Sequence, residues 1–425
     1  MLALLLAAAA VPASSAAVPV FTKDVAPIFY KHCAVCHHEG EVAPFPLITY
    51  EDVKKRARLI ADTTRSRLMP PWKPVPGYND FAGDRRLSDR DLQIIQRWVA
   101  TGAREGDPAK LPPAPQFSEG WQLGKPDLVV QPAQPFDVPA EGLDVYECFI
   151  VPMNLPKDRF IRAVEFRPSN RRVIHHSLMF TDTRQSSHES RYPCFGTMGF
   201  FPTLGIGGWS PGMASVIMPD GAAPPLQAGS KLAVQVHYHP DGKPERDQWS
   251  VGIYFTDRPP VRRVVDVGLS SNRIDIAAGD PHYVVRAHFT TPIAVDAVGI
   301  IPHAHLLCRE MRGWAILPDG RKLWLLNLRD WDFNWQDQFQ YAHPIRIPAD
   351  SELYMEFVYD NSAANPQNPN SPPKRVTWGP GTNDEMAGLH VQAIPVHMEE
   401  LPELGQALWG AVMRSVGGSF YRLPK

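Results

Sequence analysis

Charge of one sign, long apolar runs and short-period repeats are all missing from this 425-residue chain. Lysine and arginine total 43 against 45 acidic residues, a formal net charge of −2, which gives no reason to expect nucleic acid as a partner. Lys54, Lys55, Arg56 and Arg58 form one short basic run. It reads most simply as a solvated helix face, with docking of an acidic redox partner as the other reading. Beyond the first residues, no segment has the continuous apolar length of a transmembrane helix. No phosphate-binding glycine loop, Ser/His/Asp arrangement or paired-carboxylate site stands out as a catalytic centre. Cysteine is scarce, with five in all.

What is present begins with an apolar leader. Residues 2–11 are Leu, Ala and Val, and Ser15-Ala16-Ala17 supplies small residues for cleavage, so 1–17 is expected to be a signal peptide, although it lacks a basic n-region. The protein is therefore expected to be exported, periplasmic or secreted, with no membrane span in the mature chain. A hydrophobic content of 44% and a charged content of 21% are ordinary for a soluble globular protein.

Residues 18–105 read as helical. Val25, Ile28, Phe29 and His32 share one helix face; Thr49 with Asp52 and Ser88 with Asp91 mark further helix starts, and Gly102 suits a helix end. The prolines of 106–140, from Pro108 to Pro139, predict a semi-rigid linker. From 141 to 400, short β-rich runs alternate with turn residues; examples are Lys231 to Tyr238, Trp249 to Phe255, Ala294 to Ile301 and Leu353 to Tyr359. Regions 141–260 and 261–400 are each expected to form a β-sandwich, and the tail 401–425 a short helix. With Cys33-Ala34-Val35-Cys36-His37, a haem-attachment spacing, inside the helical part, the expected fold class is multidomain: a small all-α cytochrome c domain, then two antiparallel, jelly-roll-like β-sandwich domains.

The chemistry begins at Cys33-Ala34-Val35-Cys36-His37. Two thiols at this spacing can each add to a haem vinyl group, and the next histidine is held under the iron, so C-x-x-C-H reads as attachment of one covalent haem c. Met69, in Leu68-Met69-Pro70-Pro71-Trp72, is the candidate sixth ligand, with His32 and His38 as weaker rivals too near the attachment site. Cys148, Cys194 and Cys308 remain, giving one disulfide and one thiol in an oxidising compartment, with the pairing open.

Histidines cluster in the β-rich half as His175-His176, His237-Tyr238-His239 and His303-Ala304-His305. Two histidines at i and i+2 of a strand share a face and can chelate one metal, copper or zinc. Adjacent His175 and His176 should point to opposite faces unless the strand is locally distorted.

These pieces resemble the copper type II, ascorbate-dependent monooxygenases, the family of peptidylglycine α-hydroxylating monooxygenase and dopamine β-monooxygenase. The matching stretches are Val173 to Phe180, Leu232 to Tyr238, His303-Ala304-His305 and Asn383-Asp384-Glu385-Met386, in the family's order over roughly 140–400. The resemblance implies two copper ions. His175, His176 and His237 would hold the electron-storing one; His303, His305 and Met386 would hold the oxygen-binding, catalytic one, across a solvent gap. It selects His237 over His239, and favours a Cys148–Cys194 bridge. Where peptide-amidating members place a carboxylate-binding arginine this chain has Ile301, and their polar residues after the methionine correspond to Gly388 and His390, so a peptidylglycine substrate is not expected.

The expected function is O₂-dependent hydroxylation of a C–H bond in a small organic substrate, with electrons from a periplasmic donor or an ascorbate-like reductant entering through the haem. The competing expectation is an electron carrier tethered to a non-catalytic copper- or substrate-binding β module.

Overall fold

The structure, a computed structural model, describes residues 17–39, 41, 43–117, 120–187, 189–194, 198–200, 202–211, 213, 215–379 and 381–416. The expected signal peptide lies outside the described residues save Ala17. Chain contacts define two compact units, one of 1–72 with 85–116 and one of 73–84 with 117–425.

Among the described residues, the first unit has four short α-helices, with a π-helical turn at Phe21–Val25 and a 3-10 turn at Pro108–Lys110. Helix α1 (Ala26–His32) starts with Pro27 in its first turn and buries Ile28, Phe29 and His32. Thr49 opens α2 (Tyr50–Lys55) with a reciprocal cap: its hydroxyl accepts from the Asp52 amide while the Asp52 carboxylate accepts from the Thr49 amide. The backbone breaks at Arg56 before α3 (Ala57–Arg65). Ser88 caps α4 (Asp89–Ala100) through the Asp91 amide, and Gly102 ends that helix at φ +92°. Phe21, Phe29, Val53, Ile60, Ile95 and Trp98 make the core.

The second unit is antiparallel β throughout its named sheets. Its first half carries a sheet in the order Arg191–Pro193, Val145–Pro152, Lys231–Tyr238, Ile174–Asp182, Leu204–Trp209. One face packs Phe149, Val234 and Val236 with Ile161, Val164, Phe166, Val251 and Ile253 from the strands Arg159–Arg167 and Ser250–Thr256. The other face buries Cys148, Ile150, Cys194 and Ala233, and Cys148 is bonded to Cys194. Covering both faces explains why Lys231–Tyr238 is buried almost without alternation.

The second half pairs Val265–Ser270, Ala387–Pro395, Val295–Ala304 and Phe339–Ile347 in one sheet, and Tyr283–Thr291, Ser351–Tyr359, Cys308–Ile316 and Lys322–Leu328 in another. At Gly313 the two faces meet closely, since an added Cβ would stand 2.6 Å from the Leu389 side chain. Helix α5 (Leu401–Val416) follows. No helix among the described residues is long and apolar enough to cross a membrane.

This architecture corrects the expected fold class. The chain is mostly β, 36% strand against 15% helix, with no clear N-terminal all-α cytochrome domain ahead of separate β domains. The helices before residue 105 have only 7, 6, 9 and 12 residues. The stretch between α3 and α4 does not stay with them. Residues 73–84 belong to the second unit, where Val75 and Ala82 donate to the carbonyls of Asn327 and Gln340 and Phe81 stacks on Tyr341. Helix caps are local signals and carry no information about such distant pairing. Within the expected linker, Leu128–Val130 and Phe136–Val138 are strands, paired with Ser250–Thr256 and Glu245–Asp247.

Candidate metal centres

His175 and His176 stand on Ile174–Asp182, and His237 stands opposite on Lys231–Tyr238. The register pairs His237 with His176 but Tyr238 with Ile174, leaving His175 as an extra residue in a β-bulge. A bulge puts two neighbours against one partner and re-aims a side chain. That is how adjacent histidines come to serve one site.

Three ring nitrogens converge there. Nδ1 of His176 lies 3.1 Å from Nδ1 of His175 and 3.4 Å from Nδ1 of His237. Donors at about 2.0–2.1 Å around one trigonal or tetrahedral ion stand roughly 3.3–3.5 Å apart, so the spacing fits a single metal. His237 donates through Nε2 to Asp144 Oδ2 at 2.8 Å, and Asp144 Oδ1 accepts from His239 Nδ1 at 2.7 Å. This is the carboxylate–histidine pairing that orients metal-binding imidazoles, and it makes His239 a support for Asp144. Tyr146 stacks on the other side of His237 with centroids 4.2 Å apart.

Electrostatics keep the site ready for a cation. Burial, then the neighbouring His237, holds His175 down at about 3; the same two causes depress His176 far below the ordinary histidine range. Both rings are neutral at pH 7, as ligation requires. Burial alone would raise the Asp144 carboxyl, but the bonds from His237 and His239 outweigh it and hold it at about 2. Asp144→Asn is accordingly expected to weaken metal binding at this site, with Cu(II) as the probe, about 10–100-fold, the usual effect of losing such a partner. Competition with a chelator of known affinity would measure it; unchanged affinity would refute the orienting role.

The second histidine set closes the strand Val295–Ala304. His303 donates from Nδ1 to Gln336 Oε1 at 2.8 Å, and His305 donates from Nδ1 to the Asp384 carbonyl at 3.1 Å. Each ring thereby turns its Nε2 to other use. The ring centroids are 5.3 Å apart. Burial lowers His303, and burial followed by the neighbouring His303 holds His305 at about 3. The register pairs Ala304 with Ala387, one residue beyond Met386, which places Met386 beside the end of the His303 strand.

Glu385 locks that junction. Its carboxylate is fully buried and accepts from the amides of His305, Leu307 and Met386 at 2.9, 2.6 and 3.2 Å. Burial pushes its pKa up to about 8 despite those donors. Sequence reasoning quoted Glu385 only as part of a motif. It also missed Gln336, Trp331 and Phe333, whose sole signal is the aromatic and amide-rich run from Trp331 to Gln336. Where the resemblance implies a solvent gap, the Phe333 ring contacts His175 and His305 together.

In the first unit, Cys33 caps α1, and the amides of Cys36 and His37 both donate to its carbonyl, making one tight turn. His37 donates from Nδ1 to the Phe45 carbonyl at 3.0 Å and its ring packs on Phe45 at 5.1 Å, which leaves Nε2 as the nitrogen that could ligate a metal. Burial, reinforced by Cys36, pushes the Cys33 thiol up to about 12. The donor set fits a covalently attached haem. Met69 lies half-buried after α3, its amide donating to the Thr63 carbonyl. His32 and His38 spend Nδ1 on the carbonyls of Arg85 and Ala34. Cys308 is buried, its thiol 3.6 Å from the Glu310 carbonyl.

No family model matches the chain, and no curated protein matches it either. Among solved structures, it is similar to the VP2 subviral particle of infectious bursal disease virus at 8% identity, over 64% of this chain and 71% of that one, with a TM-score of 0.19. The T13 particle of that virus gives 9% identity, 64% and 70% coverage, and the same score. Likeness this slight carries no argument about fold or function.

Proposed function

We propose that the protein is an exported haem- and copper-containing monooxygenase of the copper type II kind. It would hydroxylate a C–H bond of a small organic molecule, with electrons supplied through haem c on Cys33 and Cys36. One observation carries the reading: the Nδ1 atom of His176 stands at metal-chelating distance from those of His175 and His237, with a carboxylate behind His237. The second histidine set and the Cys33–Cys36 turn extend it.

The balanced reaction consumes one O₂, two electrons and two protons per C–H bond, and yields one hydroxyl and one water. Copper, when bound, would supply the one-electron and oxygen chemistry. The residues of the chain do the positioning. Asp144 and Tyr146 hold His237 from both sides. Gln336 and Asp384 fix the ring directions of His303 and His305, and Glu385 ties the His305 and Met386 backbones together. A Met386 thioether joining the two imidazoles would favour Cu(I) over harder ions. His37 and Met69 would be the residues that ligate the haem iron. The Cys148–Cys194 disulfide is in keeping with an oxidising compartment, periplasmic or extracellular.

The test is the copper-to-haem ratio of the exported, copper-loaded protein after loosely held metal is removed. Two coppers per haem are expected. A ratio near zero with intact haem would overturn the monooxygenase reading and leave an electron carrier.

A further inference from the structure

Each of four histidines around the two centres has something behind it. His237 has Asp144, His303 has Gln336, His305 has the Asp384 carbonyl, and His176 sits between His175 and His237, its Nδ1 facing both. His175 is different. Its Nε2 is buried with no hydrogen-bond partner, and it is the bulged residue, whose direction the strand pairing does not dictate. What lies against the ring is Phe333, nearly parallel at 21° with centroids 5.2 Å apart. The same phenyl meets His305 edge-on, at 81° and 5.7 Å. Offset stacking and edge-to-face contact are the two favoured aromatic geometries.

Phe333 is itself held firmly. It is 6% exposed and follows Trp331, which is 1% exposed. Trp331 donates from Nε1 to the His305 carbonyl at 3.2 Å and from its amide to the Arg309 carbonyl. Asp332 accepts from the Asn334 amide and side chain, and the Gln336 carbonyl accepts from the Ser210 hydroxyl at 3.4 Å. One short segment therefore touches the histidines of both sets while anchored at either end.

We infer that Phe333 is a positioning residue for both metal centres: its face sets the plane of His175 in place of a hydrogen bond, its edge abuts His305, and the two centres adjoin across one dry phenyl ring. The inference rests on the two-copper reading above. It goes beyond that reading because it assigns a residue that ligates nothing, and it makes the centres neighbours.

The test uses the full-length, metal-stripped protein titrated with Cu(II) and followed by electron paramagnetic resonance. Wild type is expected to bind two Cu(II) whose signals broaden each other by dipolar coupling. Phe333→Leu, which keeps apolar volume but has no ring plane, should shift the hyperfine splitting of the three-histidine copper and weaken its binding about tenfold, the lower end of the loss seen for orienting partners. Phe333→Tyr should keep the wild-type spectrum and affinity, whereas a purely structural role would alter stability without separating Leu from Tyr. Two bound coppers without mutual broadening, or a Phe333→Leu spectrum superimposable on wild type, would overturn the inference alone. A wild-type stoichiometry below two would overturn the two-copper reading and the inference with it.

Discussion

His303→Ala or Met386→Ile is expected to reduce product formation to background while leaving the haem spectrum unchanged and one copper in place. The three-histidine centre draws all its donors from Ile174–Asp182 and Lys231–Tyr238, and its supporting carboxylate from Asp144. Nothing in that set depends on His303 or Met386. Removing His303 takes one of two imidazoles from the other centre and strands Gln336, whose Oε1 loses its donor. Met386→Ile keeps apolar bulk but deletes the soft sulfur that suits Cu(I). Copper per chain should fall from two to one in both variants, and hydroxylated product should vanish with it. Mass spectrometry of the products and elemental analysis of the protein measure the two effects. Retained product formation in either variant would contradict the assignment of the oxygen-binding centre.

How much of this was legible beforehand differs from residue to residue. The Thr49/Asp52 and Ser88/Asp91 caps could be read because a cap is a contact over three residues. The histidine pairs stood out because spacing along a strand decides which side chains share a face. His175 and His176 broke that rule. Their shared direction depends on a bulge, and the bulge depends on how Ile174–Asp182 registers against a strand some sixty residues later. Asp144, Phe333 and Gln336 were invisible for the same reason: each meets its histidine only after distant strands have paired. The fold class failed where local signals were read as global. Three helix starts around one C-x-x-C-H do not make an all-α domain when residues 73–84, between α3 and α4, belong to the second unit and bridge to its strands.

The largest expected effect on stability belongs to Glu385, a residue with no chemistry of its own in the proposed reaction. Three amides from His305, Leu307 and Met386 point at its buried carboxylate. Truncation to alanine leaves those donors without partners where water does not reach, at about 1–3 kcal/mol for each buried group left unsatisfied. Backbone relaxation recovers part of this, so Glu385→Ala is expected to lose about 3–5 kcal/mol, the usual range for removing one member of a buried polar set. Copper loading at the centre proposed for His303, His305 and Met386 should go with it, because the same amides fix how His305 and Met386 enter that centre. Glu385→Gln keeps shape and one carbonyl oxygen but turns an NH₂ toward an amide donor, and should cost only about 1–2 kcal/mol. It should keep the second copper. Denaturant midpoints of the metal-free variants separate folding from ligation, and copper counts of the loaded ones read the site directly. If Glu385→Ala matched wild type in both, the carboxylate would be a bystander, and the junction of His305 with Met386 would have to be held by strand pairing alone.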